Sequence, residues 1–510
     1  MINYSLDDYF KDIKKKGLKK TWHNILVKTL EKNFNSDLFV VDNYGELYEI
    51  GLAFENKINK KELGKYYTPK DVSEVMVKWL KQLKGDNICD VGCGVGNLIL
   101  CYLDSLDFEE AYRLLNNGNI YLYDVDSVAL EICKYTLAIK YGKEIIKKVH
   151  IKCCDFLDKS VRIPKNSKII SNPPYHKITN VSDNWKMTQV IKDSKEFYSA
   201  FMEKIILNGQ SAVIITPYSF IGSNKFYSLR KLFNNYNGFI VSFDNVPGNI
   251  FNGKKHGIFN SNTGNSVRAA ITVVENVEGK KGFRISPLFR FKSEERKMLL
   301  NNEYLESMIN ERYQIVNSKH KAYYKCFKDK LNVFDNWIDK STKTMHDFLV
   351  NKSKYSLCVP TTCRYFMVGS KRNLQRDGKR ILYIKDKDRY NFVYAMLNSS
   401  FAYWYWRIYD GGINCPVTII NNIPMFYDIL SNEQKEKLDK IVEEMQNNEE
   451  KYLVYKLNAG KKQENIKFPK KYRDSINRIF LEALSIKQNP NIMNEIHSSS
   501  LFSEEVYDNE

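Results

Sequence analysis

The chain has 510 residues, of which 43% are hydrophobic and 13% aromatic, and this composition excludes general disorder. A chain of this length is too long for one hydrophobic core, so we expect two or three domains. The 78 lysine and arginine residues exceed the 60 aspartate and glutamate residues, which gives a net charge of +18 and favours a polyanionic partner such as nucleic acid.

Two further features of the sequence narrow the class of protein. No apolar run is as long as a membrane span, and the N-terminal sequence lacks the apolar core of a signal peptide. We therefore expect a cytoplasmic protein without a membrane partner. The ten cysteines are scattered, and no two have the CxxC spacing of a zinc site, so we expect reduced thiols and no bound metal.

The first 62 residues have a helical pattern. Trp22, Ile25, Leu26 and Leu30 are spaced as on one face of a helix, so residues 1–62 are predicted to form a helical lead-in to the next domain.

Within this lead-in, three residues mimic the spacing of a metal-dependent nuclease, namely Asp42, Glu55 and Lys57. A segment of this length cannot form a nuclease sheet with its own core. A helical lead-in is therefore favoured over a fused nuclease.

From residue 87 onward, short apolar strands alternate with helical stretches, a pattern that predicts an α/β domain with a mostly parallel, Rossmann-like sheet. Ligands of such sheets bind beyond the carboxyl ends of the strands, and the unusual residues of this region lie there. The segment that follows residue 285 is charged and is predicted to be a connection. The predicted strands are NICDVG, IYLYDVD, VHIKCCDF, KIISNPPY, SAVIITP, GFIVSFD and VRAAITVVEN.

A glycine-rich turn follows the first predicted strand. Asp90 ends this strand, and Gly92, Gly94 and Gly96 then open a helix. Glycines allow the backbone to approach a ligand closely, and the start of a helix offers unpaired N–H groups. Asn97 stands where the dinucleotide fingerprint requires Gly or Ala, so the pattern predicts a different nucleotide-like ligand.

The second and third strands also end in acids. Asp124, followed by Val125, is placed to bind the two hydroxyls of a ribose. Asp155 and Phe156 offer an acceptor and an apolar ring that suit the edge and face of an adenine. Either acid alone could be a helix cap, but acids on three consecutive strand ends predict one nucleoside pocket.

The fourth predicted strand runs into Asn172, Pro173, Pro174 and Tyr175. Two prolines in succession remove two backbone donors and end the strand. A bare Pro-Pro pair would indicate no more than a turn, so the meaning of this motif depends on the nucleoside pocket that precedes it.

In this order the motifs resemble the S-adenosylmethionine-dependent methyltransferases. With NPPY after the fourth strand, residues 50–285 resemble the N6-adenine DNA methyltransferases of restriction–modification systems, and the arrangement is similar to their gamma class. The resemblance implies S-adenosylmethionine as cofactor and a methyltransferase domain over residues 63–285. It also implies that LGKYYTPKDVSEVMVKWL, with Tyr67, Thr68 and Pro69, closes over the methionine end of the cofactor and that Asn97 contributes to its site.

The NPPY motif then has a physical interpretation. The amino nitrogen of adenine is a poor nucleophile because its lone pair is delocalised into the ring. The Asn172 side-chain oxygen and the Pro173 carbonyl can hold its two hydrogens, while Pro174 keeps the segment rigid. Tyr175 offers a face for stacking with the target base. His176 is interpreted as a surface neighbour without a role.

An adenine in a duplex reaches such a site only if it is rotated out of the base stack. The resemblance implies a second aromatic residue opposite Tyr175, in a loop after the sixth strand. Phe251 is the predicted stacking residue, Phe259 is its rival, and Lys254 and Lys255 are predicted to contact phosphates.

The C-terminal part of the chain is predicted to recognise DNA. Residues 286–430 resemble the α+β target-recognition domain of the family, on the basis of YAMLNSSFAYWYWRIYDGG and IINNIPMF, and residues 431–510 are predicted to be a helical segment and tail. A cluster of basic residues is predicted to contact double-stranded DNA. It comprises Arg364, Lys371, Arg372, Arg376, Lys379 and Arg380.

These features predict a monomeric methyltransferase that modifies adenine N6 in a specific double-stranded DNA sequence, alongside a separately encoded restriction endonuclease. Three alternatives remain open at this point. A protein-glutamine methyltransferase also uses NPPY, but it needs no basic C-terminal body. An RNA adenine is a possible substrate, and a DNA-binding subunit without activity is disfavoured by the complete set of Asp90, Asp124, Asp155 and Asn172.

Overall fold

The structure is a computed structural model that describes Tyr48 and residues 68–251, 267–275, 278–318, 320–363, 365–458, 460–486 and 490–502. It divides into two compact units. The first comprises Met1–Ile285 and Arg296–Tyr323, and the second comprises Ser286–Glu295 and Tyr324–Glu510. Within the described residues, no helix is long and apolar enough to cross a membrane.

One large sheet dominates the first unit. Its strands in chain order are β1 (Asn87–Val91), β2 (Ile120–Asp124), β3 (His150–Cys153), β4 (Ser167–Ser171), β5 (Ser211–Pro217), β6 (Asn237–Phe243), β7 (Ala269–Val274) and β8 (Gly282–Phe289).

The sheet is mixed but mostly parallel, with strand order β3-β2-β1-β4-β5-β7-β6-β8. Strands β1 to β5 pair in parallel with one another, whereas β7 runs antiparallel to both β5 and β6. The predicted α/β fold is confirmed, and all seven predicted strands are present. Strand β8 is an eighth strand, which begins inside the predicted domain and continues into the segment predicted to be a connection.

Helices lie between these strands and on either side of them in the chain. In chain order they are α1 (Lys70–Gln82), α2 (Asn97–Asp104), α3 (Phe108–Asn116), α4 (Ser127–Tyr141), α5 (Gln189–Ser194), α6 (Phe197–Leu207), α7 (Tyr227–Phe233), α8 (Arg296–Leu299) and α9 (Asn302–Ser307).

Burial explains why these segments form the core. Every residue of β4 is buried, as expected for a central strand that is covered on both faces. Helix α1 buries Val72, Val75, Met76 and Trp79, whose spacing places them on one side of the helix.

The order of the strands positions the site. Strands β2 and β4 flank β1 on opposite sides, so the direction in which the chain adds strands reverses at β1. Open α/β sheets bind ligands in the crevice beyond the strand ends at such a reversal. The glycine turn after β1 and the NPPY motif after β4 both follow carboxyl ends at this point.

Residues 296–323 return to the first unit after the chain has left it. Asn302 Nδ2 donates to the Val75 carbonyl at 3.0 Å, and Trp79 Nε1 donates to Glu306 Oε1 at 2.6 Å. Helix α1 is therefore held by residues that lie more than 200 positions later in the sequence.

The second unit is α+β, with short antiparallel strand pairs among helices. Its elements are α10 (Leu331–Lys340), β9 (Lys343–Thr344), β10 (Tyr355–Pro360), β11 (Lys379–Ile384), α11 (Lys387–Asn398), α12 (Ser400–Tyr409), α13 (Val417–Asn421), β12 (Pro424–Met425), α14 (Asn432–Asn447), β13 (Leu453–Asn458), β14 (Lys461–Ile466) and α15 (Lys470–Ala483).

The C-terminal segment shares the core of this unit. Leu438 and Val442 of α14 and Phe480 of α15 lie in the same buried cluster as Trp337 and Phe401. The prediction of a helical segment after residue 430 was incomplete, because the β13–β14 hairpin separates the two helices. Leu453, Tyr455 and Leu457 recur at every second position of β13, which is the period of a strand.

Candidate active site

The glycine turn after β1 has the backbone conformation that its sequence predicts. Gly94 has φ of 54° and Gly96 has φ of 88°, both in the left-handed region that favours glycine. A Cβ atom at Gly96 would lie 2.5 Å from the Cys133 sulfur. The turn therefore needs glycine at this position both for its backbone angle and for its close approach to α4.

Asp90, in the strand before this turn, bonds to the helix that follows it. It is fully buried, and its Oδ2 accepts a hydrogen bond from the Ile99 backbone N–H at 3.2 Å. Asp90 Oδ1 has no hydrogen-bond partner among the described residues. Burial raises the pKa of Asp90 to about 8. The carboxyl does not line the cavity that its neighbours form, so its predicted role as a direct cofactor ligand has no support in this geometry.

This burial predicts a pH-dependent stability. The pKa of Asp90 is higher in the folded state than in the unfolded chain, so the free energy of unfolding should fall as pH rises from about 4 to about 8, with a slope of up to about 1.4 kcal/mol per pH unit. Asp90→Asn should remove this contribution, because the amide stays neutral at every pH. Urea denaturation of both proteins at pH 5 and pH 8 measures the effect, and equal slopes would contradict it.

Asp124 joins the glycine turn to the next loop. Its Oδ2 accepts from the Gly94 N–H at 2.7 Å, and its Oδ1 accepts from the Asp126 N–H at 2.8 Å. Asp126 caps α4 and also accepts a hydrogen bond from the hydroxyl of Tyr48 at 2.9 Å. Sequence analysis did not identify Tyr48, because no motif surrounds it.

Asp155 and Phe156 form the other end of this region. Asp155 Oδ1 accepts from the Leu157 N–H at 2.9 Å, and Oδ2 accepts from Trp185 Nε1 at 2.6 Å. Phe156 is buried, with its ring 5.0 Å from that of Phe201. Trp185 was missed, and the sequence signal for it is weak, since it is one aromatic residue in a polar loop.

These residues surround a cavity of about 360 Å³. Ten of the predicted site residues line it. They are Thr68, Gly92, Gly94, Asn97, Asp124, Val125, Asp155, Phe156, Asn172 and Pro174.

Other predicted residues lie elsewhere. Pro69 precedes the first residue of α1, and Pro173 and Tyr175 do not line the cavity. Tyr67 lies outside the described residues. Among the described residues, no group of His, Cys, Asp and Glu side chains could hold a metal ion.

The residues of the NPPY motif alternate between two sides. Asn172, Pro174 and His176 line the cavity, whereas the Tyr175 hydroxyl donates to the Ile215 carbonyl at 3.1 Å. Asn172 Nδ2 donates to Thr68 Oγ1 at 2.9 Å, which fixes the amide plane and directs its oxygen away from Thr68. The motif therefore separates the cavity from the surroundings of the Tyr175 ring.

The interpretation of His176 as a surface neighbour was wrong. Its side chain lines the cavity, and its ring centroid lies 4.1 Å from that of Phe197. Burial lowers the pKa of His176, so the ring favours its neutral form. The local sequence could not reveal this, because the direction of the ring depends on α6.

Phe251 lies next to Tyr175, as predicted, but it is buried. The two ring centroids are 6.0 Å apart, with an angle of 69° between the ring planes. Phe251 is 7% exposed, and its backbone N–H donates to Asn249 Oδ1 at 2.8 Å. Lys254, Lys255 and Phe259 lie outside the described residues.

Arg296 connects the Phe251 segment to α1. Its guanidinium donates to the backbone carbonyls of Asn249 at 2.8 Å and Ile250 at 2.6 Å. It also pairs with Asp71, with 2.9 Å between Nη2 and Oδ1. Sequence analysis could not detect this residue, because its partners lie 46, 47 and 225 positions away.

The predicted basic cluster of the second unit is largely engaged in internal contacts. Arg372 Nη1 pairs with Glu450 Oε1 at 2.7 Å, and Lys379 Nζ donates to the Leu374 carbonyl at 2.6 Å. Lys371 is exposed, and Arg364 lies outside the described residues. Arg376 and Arg380 also bond to backbone carbonyls of the same unit.

The fold and the cavity define an α/β protein with a nucleoside-type pocket beside an NPPY motif. Residues 40–260 match the model of the N-6 DNA Methylase family. This match confirms the resemblance to the N6-adenine DNA methyltransferases that the motif order predicted.

Two curated relatives share part of the chain. The type II methyltransferase M.VspI of Vibrio sp. (strain 343) is 27% identical over 222 residues, which are 42% of this chain and 49% of that protein. The type II methyltransferase M.BsuBI of Bacillus subtilis is 27% identical over 190 residues, which are 34% of this chain and 37% of that protein. The matched regions thus span no more than about half the length of these relatives.

Solved structures also resemble this chain. The DrdV–DNA complex, determined by electron cryomicroscopy, has 18% identity and a TM-score of 0.42, over 64% of this chain and 37% of that one.

Proposed function

We propose that this protein transfers a methyl group from S-adenosylmethionine to the N6 amino group of adenine in a specific double-stranded DNA sequence, as part of a restriction–modification system. The observation that carries the proposal is the position of Asn172. Its side chain lines the nucleoside-type cavity, while Tyr175, three residues further on, contacts Phe251 on the other side of the motif.

The cavity suits a cofactor that contains a nucleoside. The carboxylate of Asp124 offers acceptors for ribose hydroxyls, and the buried ring of Phe156 offers a face for a purine. The bare backbone of the glycine turn leaves room for the rest of the molecule. When bound there, S-adenosylmethionine would supply a methyl group on a positively charged sulfur.

Asn172 and Pro173 prepare the amino nitrogen of the target base for attack. With Nδ2 held by Thr68, the Asn172 oxygen accepts one hydrogen of the amino group, and the Pro173 carbonyl accepts the other. Both acceptors favour a tetrahedral nitrogen with its lone pair directed at the donor methyl. This mechanism relies on positioning, so it requires no general base with a raised pKa.

Tyr175 and Phe251 are proposed to hold the extruded base. A base between two parallel rings needs about 7 Å, since each stacking contact takes about 3.5 Å. The two rings now meet edge to face at 6.0 Å, so Phe251 must turn or move before the base enters. Arg296 anchors the backbone carbonyls of Asn249 and Ile250, directly before Phe251, so the movement is proposed to fall on the Phe251 side chain.

The proposed partner is double-stranded DNA, recognised by the second unit. The net charge of +18 supports this partner, because basic side chains gain affinity by releasing counterions from the phosphates. We further propose that the protein is a monomer and acts on genomic DNA in the cytoplasm. A separately encoded restriction endonuclease is its proposed companion in the restriction–modification system.

Asp124→Ala is expected to weaken cofactor binding by about 1–3 kcal/mol, because it removes both the ribose acceptors and the bond that fixes Gly94. Calorimetric titration with S-adenosylmethionine measures the change. Asp104→Ala is the matched control, since this acid pairs with Lys140 at the surface and does not line the cavity. Equal affinities of the two variants would remove Asp124 from the cofactor site.

Methylation-sensitive sequencing tests the proposed function as a whole. Genomic DNA from cells with and without this gene is compared for N6-methyladenine, and one sequence context should be methylated only when the gene is present. If the DNA is unmodified and a methylated glutamine or RNA adenine depends on the gene instead, the DNA assignment is wrong.

A further inference from the structure

The β13–β14 hairpin forms a two-stranded ribbon in the second unit. Six residue pairs connect the strands, from Leu453 opposite Ile466 to Asn458 opposite Lys461. An isolated two-stranded ribbon is only marginally stable, so its conformation depends on contacts with the rest of the unit.

Strand β14 of the ribbon is anchored to the loop that carries the predicted basic cluster. The Glu464 backbone N–H donates to the Gln375 carbonyl at 2.9 Å, and Glu464 Oε2 accepts from the Gln375 N–H at 2.8 Å. Arg376 also donates to Asn465 Oδ1. These contacts hold β14 at its second and third residue pairs from the open end, and the side chains of the two pairs nearest the turn that can be described are exposed.

Two apolar side chains of β13 are exposed to solvent. Leu457 is 80% exposed, more than any other large hydrophobic residue among those described, and Tyr455 is 53% exposed. The two residues are two positions apart on one strand, so they lie on the same face of the ribbon. A single exposed leucine is unremarkable, but this one lies beside an exposed tyrosine and among lysines.

The ribbon is also positively charged. Lys456, Lys461 and Lys462 are exposed, and the Lys462 ammonium lies 3.9 Å from the centroid of the Tyr455 ring. Glu464 is the one acid in residues 453–466, and it is buried. Lys461 lies 3.7 Å from Asp377, but both side chains are more than 70% exposed, so this pair is weak.

We propose that this ribbon contacts double-stranded DNA by entering the major groove, with its lysines on the phosphates and Leu457 and Tyr455 against the edges of the bases. The proposal rests on the proposed function and names the surface by which the second unit meets its substrate. The major groove of B-form DNA admits a two-stranded ribbon, and an apolar side chain there can contact the methyl group of thymine.

Charge complementarity favours DNA over a protein partner. A protein-binding surface is depleted of lysine at its centre, whereas here lysines flank the exposed apolar residues. Lysine contacts to phosphate also make a specific prediction, because each lost contact lowers the salt dependence of DNA binding by a known amount.

The test compares the full-length protein with the double variant Lys461→Gln/Lys462→Gln and with Leu457→Ala. DNA affinity is measured against salt concentration, on duplexes with and without the methylated sequence. The lysine variant should lower the slope of log K against log salt by about 0.9 for each lost phosphate contact on either duplex. Leu457→Ala should weaken binding to the cognate duplex about tenfold without changing that slope.

Matched controls are available in the same unit. Lys352→Gln/Lys440→Gln removes two exposed lysines outside the ribbon, and Ile429→Ala truncates an apolar residue that is 39% exposed. Both controls should bind DNA like the unchanged protein. All variants should keep its melting temperature and cofactor affinity, because the substituted side chains are exposed or partly exposed and lie outside the first unit.

The outcomes separate the inference from the proposed function. If the unchanged protein neither binds nor methylates DNA, the proposed function fails. If it does both and the ribbon variants bind like their controls, the ribbon is not the DNA contact and the inference is overturned. Binding of the ribbon to another protein, with DNA affinity unaltered in the variants, overturns it as well.

Discussion

Replacement of Asn172 with alanine is expected to abolish methyl transfer while cofactor affinity stays within a few-fold of that of the unchanged protein. The side-chain oxygen acts on the amino group of the base, and its loss removes an interaction that matters mainly in the transition state. The adjacent nucleoside pocket keeps Asp124, Asp155 and Phe156, which carry most of the proposed cofactor contacts.

Single-turnover methylation of a duplex that contains the recognised sequence measures the first effect, and calorimetric titration with S-adenosylmethionine measures the second. Asn208→Ala is the control, because Asn208 is an exposed amide that bonds to the Lys204 carbonyl and does not line the cavity. Substantial turnover by Asn172→Ala would exclude the proposed mechanism. A parallel loss of cofactor affinity would assign Asn172 to cofactor binding alone.

Phe251→Ala should weaken binding of the extruded base by about 1–3 kcal/mol, the usual value for the loss of one stacking ring. Because Phe251 is 7% exposed, alanine is also expected to lower the stability of the fold. Phe251→Leu keeps most of the apolar volume while it removes the flat face, so it separates stacking from packing. A fluorescent 2-aminopurine at the target position should brighten with the unchanged protein and respond less with either variant.

Two control variants distinguish stacking by Phe251 from packing and from stacking by another ring. Phe226→Leu alters a fully buried ring that lies 5.5 Å from Tyr198, so it should lower the melting temperature without changing the 2-aminopurine signal. Phe259→Ala tests the rival residue in the same loop. If Phe251→Leu alters only the melting temperature, Phe251 is a packing residue. If Phe259→Ala alone dims the signal, the stacking ring lies later in the loop.

The sequence determined the order of the motifs and, with it, the type of fold and most of the cavity lining. Acids and glycines at the ends of successive strands have a local signature, because parallel strands bring their carboxyl ends to one edge of the sheet. The positions of Asp124, Phe156 and Asn172 at one cavity could therefore be predicted.

Asp90 is the exception among these strand ends. It precedes the turn in the chain, yet the packing of α2 over the sheet buries it and raises its pKa to about 8. Whether a strand-end acid reaches a cavity or lies below it depends on a rotation of the side chain that no sequence pattern records.

Only the tertiary structure decided the contacts that join distant segments. Trp185 donates to Asp155, Arg296 holds Asp71 and the segment before Phe251, and strand β14 bonds to Gln375. Each contact joins residues 30 to 225 positions apart. Local periodicity reports which face of an element is buried but not which partner covers it, because that choice depends on the packing of the whole chain.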